Sequence, residues 1–157
     1  MRKTIIPDPS HEDKTLQSRW LDLEHLARVE LSSEDPEFPI ESALRSGTGP
    51  GWLAAQPGPQ MIRVIFDEPI RLRQIYLEFL EQQVPRTQEF VLRWSPDQGR
   101  SYREIVRQQY NFTPPGTTNE REEYQLNLAG VTVLELHLIP DLGGSQARAS
   151  LSRLLLA

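Results

Sequence analysis

Apolar and polar side chains alternate with a period of two along most of the chain, and few folds can use such a sequence. In MIRVIFD, Ile62, Val64 and Phe66 fall on one side while Arg63 and Asp67 fall on the other. RQIYLEF places Ile75, Leu77 and Phe79 together, and EFVLRWS does the same with Phe90, Leu92 and Trp94. Residues 101–107 continue with weaker sidedness, Tyr102, Glu104 and Val106 standing against Arg103, Ile105 and Arg107. Tyr124, Leu126 and Leu128 repeat the pattern, followed by residues 131–138 and 151–156. Recurring short runs of this kind, with turn residues between them, predict half-buried strands packed face to face in an all-β sandwich.

The breaks agree. Residues 47–58 (GTGPGWLAAQPG) and 141–145 (DLGGS) are rich in glycine and proline. In SPDQG, Pro96 presets φ and Gly99 permits a positive φ, as a tight turn needs. Pro114 and Pro115 remove two ladder donors, so residues 111–119 cannot be a central strand, and residues 108–119 are a candidate ligand loop. Leu16, Trp20, Leu23 and Leu26 recur at helical spacing, which divides the chain into an N-terminal tail or helical segment, residues 1–27, packing on a sandwich of residues 28–157.

Composition narrows the function. With 157 residues the chain can bury one core, and with no cysteine it has neither disulfides nor thiolate chemistry. No apolar run matches a secretory leader or a membrane span, so the expectation is a cytoplasmic protein with no membrane partner. The net charge of −5 speaks against nucleic acid, whose binders neutralise phosphates with basic stripes. Arg71, Arg73, Arg86, Arg93, Arg100, Arg103 and Arg107 alternate with apolar residues and read as the wet face of a sheet. The histidines, His11, His25 and His137, belong to no nucleophile, zinc or phosphate-loop motif. No catalytic residue, cofactor or metal is therefore assigned.

Residues 30–44 (ELSSEDPEFPIESAL), then Gly51-Trp52 and MIRVIFDEPIRLRQIYLEF, resemble the discoidin superfamily, the coagulation factor V/VIII type C or galactose-binding-like domains. Ser95, Asp97, Gly99 and Tyr102 are similar to that family's hairpin turn, and ASLSRLLL (149–156) to its closing strand. The first half, at Ser32-Ser33-Glu34-Asp35 and Trp52, also resembles the N-terminal domain of the X-ray-repair scaffold protein. The resemblance implies a jelly-roll β-sandwich and a binder without catalysis. Its ligand would be a carbohydrate or other small polar molecule, or alternatively a protein partner. Calcium-binding members resemble Ala-X-Asp-Gly where this chain reads Ala43-Leu44-Arg45-Ser46-Gly47, and a guanidinium in that place argues against calcium.

Within such a fold the loops of one end carry recognition. Glu34, Asp35, Arg86, Gln109, Tyr110, Asn111 and Phe112 are the expected ligand residues, because amides beside an aromatic ring suit a neutral polyol. Each has a plainer alternative: turn or cap residues for Glu34 and Asp35, a solvated charge for Arg86, loop packing for Tyr110 and Phe112, and for the run QQYNF (108–112) a strand end whose aromatics cover the core. Trp52 offers a stacking surface for a sugar, but a plug in one end of the sandwich is favoured for it.

Overall fold

The computed structural model describes residues 20–157. Two long strands, β3 (Gln60–Leu80) and β6 (Asn119–Ile139), pair antiparallel along their lengths and organise the rest. Their register shifts between Ile65 and Gln74, where residues 66–69 stand against Thr132 and Arg71 against Ala129-Gly130, and there the ribbon passes from one layer to the other. Pro69 lacks a ladder donor and Gly130 takes φ +71°, so both strands can break pairing at that corner.

One layer has the order β1 (Ala27–Leu31), the first half of β3, the second half of β6, β4 (Arg86–Ser95) and β5 (Arg103–Phe112). The other layer joins β8 (Arg153–Leu156) to the second half of β3 and the first half of β6. A short pair, β2 (Trp52–Leu53) and β7 (Ser150–Leu151), closes one end. All pairings are antiparallel. The expected all-β sandwich is what forms.

The alternation set out above decides what is inside. Ile62, Val64, Phe66, Ile75, Leu77, Phe79, Phe90, Leu92 and Trp94 are all buried, and the rings of Phe79 and Phe90 meet across the layers at 5.3 Å. Burying side chains of this size stabilises by roughly 1.5–3 kcal/mol each. Gly51 lets β2 reach β7. It has φ +84°, and a Cβ there would stand 2.5 Å from the Leu151 carbonyl oxygen.

Among the described residues of the N-terminal segment, α1 (Leu23–Leu26) makes one helical turn before the chain enters β1 at Ala27; Leu16 lies outside them. Leu23 is buried, the Leu21 N–H donates to the Leu156 carbonyl, and the Trp20 ring lies 6.3 Å from Tyr76. No helix among the described residues is long and apolar enough to cross a membrane.

Candidate functional site

The segments linking the strands converge at one end of the sandwich, and their hydrogen bonds show it. Arg86, at the start of β4, donates Nε to Glu81 at 2.7 Å and Nη1 to the Pro140 carbonyl at 2.9 Å. The Leu142 N–H donates to the Thr87 carbonyl, and the Tyr110 hydroxyl to the Asn119 carbonyl. Asp35 receives Arg148 Nη1 at 3.2 Å, and that same nitrogen also donates to the Ala54 carbonyl. Residues 32–35, 54–59, 81–87, 110–119 and 140–148 thus share one surface.

Within it, residues 56–59 and 139–146 enclose an open cleft of about 630 Å³. Gln56, Ser145 and Gln146 are exposed on its walls, with Asp141 half-buried at its base. Asp141 accepts the N–H groups of Thr87 and Gly143. The Ser145 hydroxyl and those amides hold its carboxyl below the ordinary carboxylate range, so it is an acceptor fixed in place. Thr87 in turn donates its hydroxyl to Asn111 at 2.8 Å, tying β5 to the cleft. Among the described residues that line it there is no aromatic ring and no cation. Such a cleft can hydrogen-bond hydroxyl groups but cannot stack on a sugar face or pair with an anion.

The expected ligand residues divide on this geometry. Arg86 and Phe112 are interior, 4% and 1% exposed, and do not reach a ligand. Arg86 is no solvated charge: besides Glu81 and Pro140 it donates to Gln88, and its guanidinium covers the Phe112 ring at 4.7 Å. Burial works to raise Glu81, yet Arg86 and the amides of Gln83 and Val84 outweigh it and hold that carboxyl low. Glu34 accepts the Ile40 N–H at 2.6 Å, ahead of α2 (Glu41–Leu44). Asp35 makes a turn with the Glu37 N–H. QQYNF is not a loop but the end of β5, paired with β4 because the prolines lie just beyond it. Tyr110 is therefore half-buried against the core, and Gln109 and Asn111 lie on the opposite, exposed face of the strand. Trp52 is 1% exposed with its indole N–H on the Ser33 carbonyl, which makes it the plug.

Beneath the loops lies an interior polar cluster. Glu120, 2% exposed, accepts from Gln88, and burial together with neighbouring Glu122 pushes its carboxyl up to about 8. Among the described residues, Glu120 Oε2, Arg86 Nη2 and the Tyr124 hydroxyl have no hydrogen-bond partner.

The place of the calcium loop is also filled. The Arg153 guanidinium donates to the carbonyls of Ser42, Gly47, Gly49 and Ser152, while Arg45 pairs with Glu24 at 2.6 Å. Among the described residues no three His, Cys, Asp or Glu side chains converge on one point.

No protein-family model and no curated protein matches the chain. Solved structures do. CBM32-3 from a family 31 glycoside hydrolase of Clostridium perfringens aligns over 90% of this chain and 96% of its own, with TM-score 0.64 and 18% identity. The family 32 module of C. perfringens NanJ, solved with galactose, aligns over 87% and 96%, with TM-score 0.61 and 12% identity. A chitosan-binding module from a Paenibacillus sp. IK-5 chitosanase/glucanase aligns over 83% and 94%, with TM-score 0.55 and 15% identity. The fold is the galactose-binding-like jelly roll. At these identities the likeness concerns architecture, and the loop sequences differ freely.

Proposed function

We propose that this chain is a non-catalytic carbohydrate-binding module that holds a neutral sugar in the cleft between residues 56–59 and 139–146. The observation that carries the reading is that cleft itself. It lies where the loops of a galactose-binding-like sandwich converge, and it is lined by amide, hydroxyl and a fixed carboxylate acceptor without a cation. Solved modules similar to it in structure include one in complex with galactose and one described as chitosan-binding. Gln56, Asp141, Ser145 and Gln146 are the proposed contacts, with Asp35 and Asn111 at the margins through Arg148 and Thr87. Glu34 and Tyr110 support the loops rather than touch the sugar.

The test is a calorimetric and thermal-shift screen of neutral mono- and disaccharides, galactosides first. At least one should stabilise the protein, and the double variant Gln56→Ala/Gln146→Ala should lose that response without losing its fold, since both side chains are exposed. A screen in which no sugar shifts the melting temperature, or a response that survives the double variant, refutes the reading.

A further inference from the structure

Away from the loop end, the outer face of the five-stranded layer carries an ion cluster that a neutral-sugar cleft does not use. Glu135 on β6 is flanked in register by Arg63 on β3 and Arg93 on β4. It lies on the face that should be wet, yet its side chain is 0% exposed. Arg63 Nε donates to Oε2 at 2.8 Å, Arg93 donates Nε and Nη2 to Oε1, and the Tyr102 ring lies 5.1 Å from the Arg93 guanidinium.

The ion pairs of this face are unevenly shared. Towards the edges Arg28 pairs with Glu30, and Arg107 with Glu89 and Glu104. In the middle Arg63 and Arg93 share Glu135, while Glu30, in register with Arg63, pairs with Arg28 instead. Each guanidinium has five N–H donors in a fixed fork, and Glu135 takes only the Nε hydrogen of Arg63. Arg63, about one-third exposed, lines a groove of about 570 Å³ with Tyr102 and Gln98 on its wall and Ile65 and Val133 in its floor.

We propose that this groove is a second saccharide site, one that takes a carboxylate-bearing sugar, a uronic acid, by a paired contact between the sugar carboxylate and the open side of the Arg63 fork. Such planar pairing is what an arginine offers and a lysine does not. Gln98 supplies an amide for the adjacent hydroxyl, with the half-buried side chains of Ile65 and Tyr102 beside it. Arg28 lines the same groove with Glu30 and Asp67, so its charges balance and it offers no extended cationic surface to a densely acidic peptide or a nucleic acid. The inference rests on the carbohydrate-binding reading but uses different residues.

Titrating the whole chain with trigalacturonic acid, and in parallel with neutral galactotriose, tests it. Trigalacturonate should bind, weaken as salt rises, and shift the Arg63 side-chain N–H resonance. Arg63→Gln should lower its affinity roughly tenfold or more. Because that variant also loosens buried Glu135, Gln98→Glu serves as a second one: it keeps shape, adds a repelling charge and should give a loss of similar size. Gln56→Ala/Gln146→Ala should leave trigalacturonate binding intact while abolishing neutral-sugar binding. The groove is overturned if trigalacturonate does not bind, if galactotriose displaces it, or if Gln98→Glu binds as the parent does. A loss of neutral-sugar binding alone overturns only the loop-end cleft.

Discussion

Replacing Arg153 by methionine tests how the loop at residues 42–49 is held. The guanidinium is 7% exposed and donates to the carbonyls of Ser42, Gly47, Gly49 and Ser152, so one side chain organises the whole segment between α2 and β2. Methionine matches the stem but offers no donor. A hydrogen bond to a charged group contributes about 1.5–3 kcal/mol net. The five bonds to these four carbonyls do not add, because residues 45–50 are exposed and water can reach the freed carbonyls of Gly47 and Gly49. Counting only the two acceptors nearer the interior, Ser42 and Ser152, and the loss of loop order, the expected cost is about 3 kcal/mol. For a domain of this length that lowers the melting temperature by roughly 6–12 °C. Urea denaturation gives the free energy, and amide hydrogen exchange should show residues 42–51 opening in the variant while β4 and β6 stay protected. Arg153→Lys, which keeps the charge but not the fork, should fall between the two. A cost under about 1 kcal/mol with unchanged exchange in the loop would refute the reasoning.

Other expectations follow from the same contacts. Adding calcium or a chelator should leave the melting temperature unchanged, because a guanidinium already occupies the carbonyl cradle; a calcium-dependent rise contradicts this. Glu120 has a folded pKa raised to about 8 by burial and Glu122, above the ordinary carboxylate value. Its contribution is therefore complete below about pH 4.5 and is lost as pH rises through about 8. Denaturation from pH 5 to 9 should show stability falling, and Glu120→Gln should flatten that slope; an unchanged slope would show that another group is responsible. Gly51→Ala combines a positive φ with a Cβ 2.5 Å from the Leu151 carbonyl, so a loss of about 2 kcal/mol or more is expected by chemical denaturation.

The strands were legible because their signal is local. Ile75, Leu77 and Phe79 announce an inward face within five residues, and all three are 0% exposed. In the second half of β6, Val131 to Leu136 are buried on both faces, so the alternation gives no side there; centrality in the layer, not pattern, covers them. The burial of charged residues escapes the sequence for a related reason. Arg86 is drawn inside by Pro140, 54 positions away, and Glu135 is hidden by Arg63 and Arg93, 72 and 42 positions away. No window of sequence contains those partners. For QQYNF the sequence leaves a loop and a strand end both open, and pairing with β4 decides for the strand end, the prolines marking where β5 stops. The cleft was read only as punctuation: its walls, 56–59 and 139–146, come from breaks some eighty residues apart, and their glycines and prolines signal a turn without saying what the turn faces.

The ribbon of β3 and β6 has a consequence for how the molecule comes apart. Because each of these strands belongs to both layers, neither layer can peel away while the other stays intact: melting one pulls the shared backbone out of its neighbour. Loss of structure should be all-or-none, with the loop-end cleft and the charged outer face vanishing in the same transition. Assembly carries the mirror cost, since residues about sixty positions apart must meet before either layer exists, which places the chain among the slower-folding small domains.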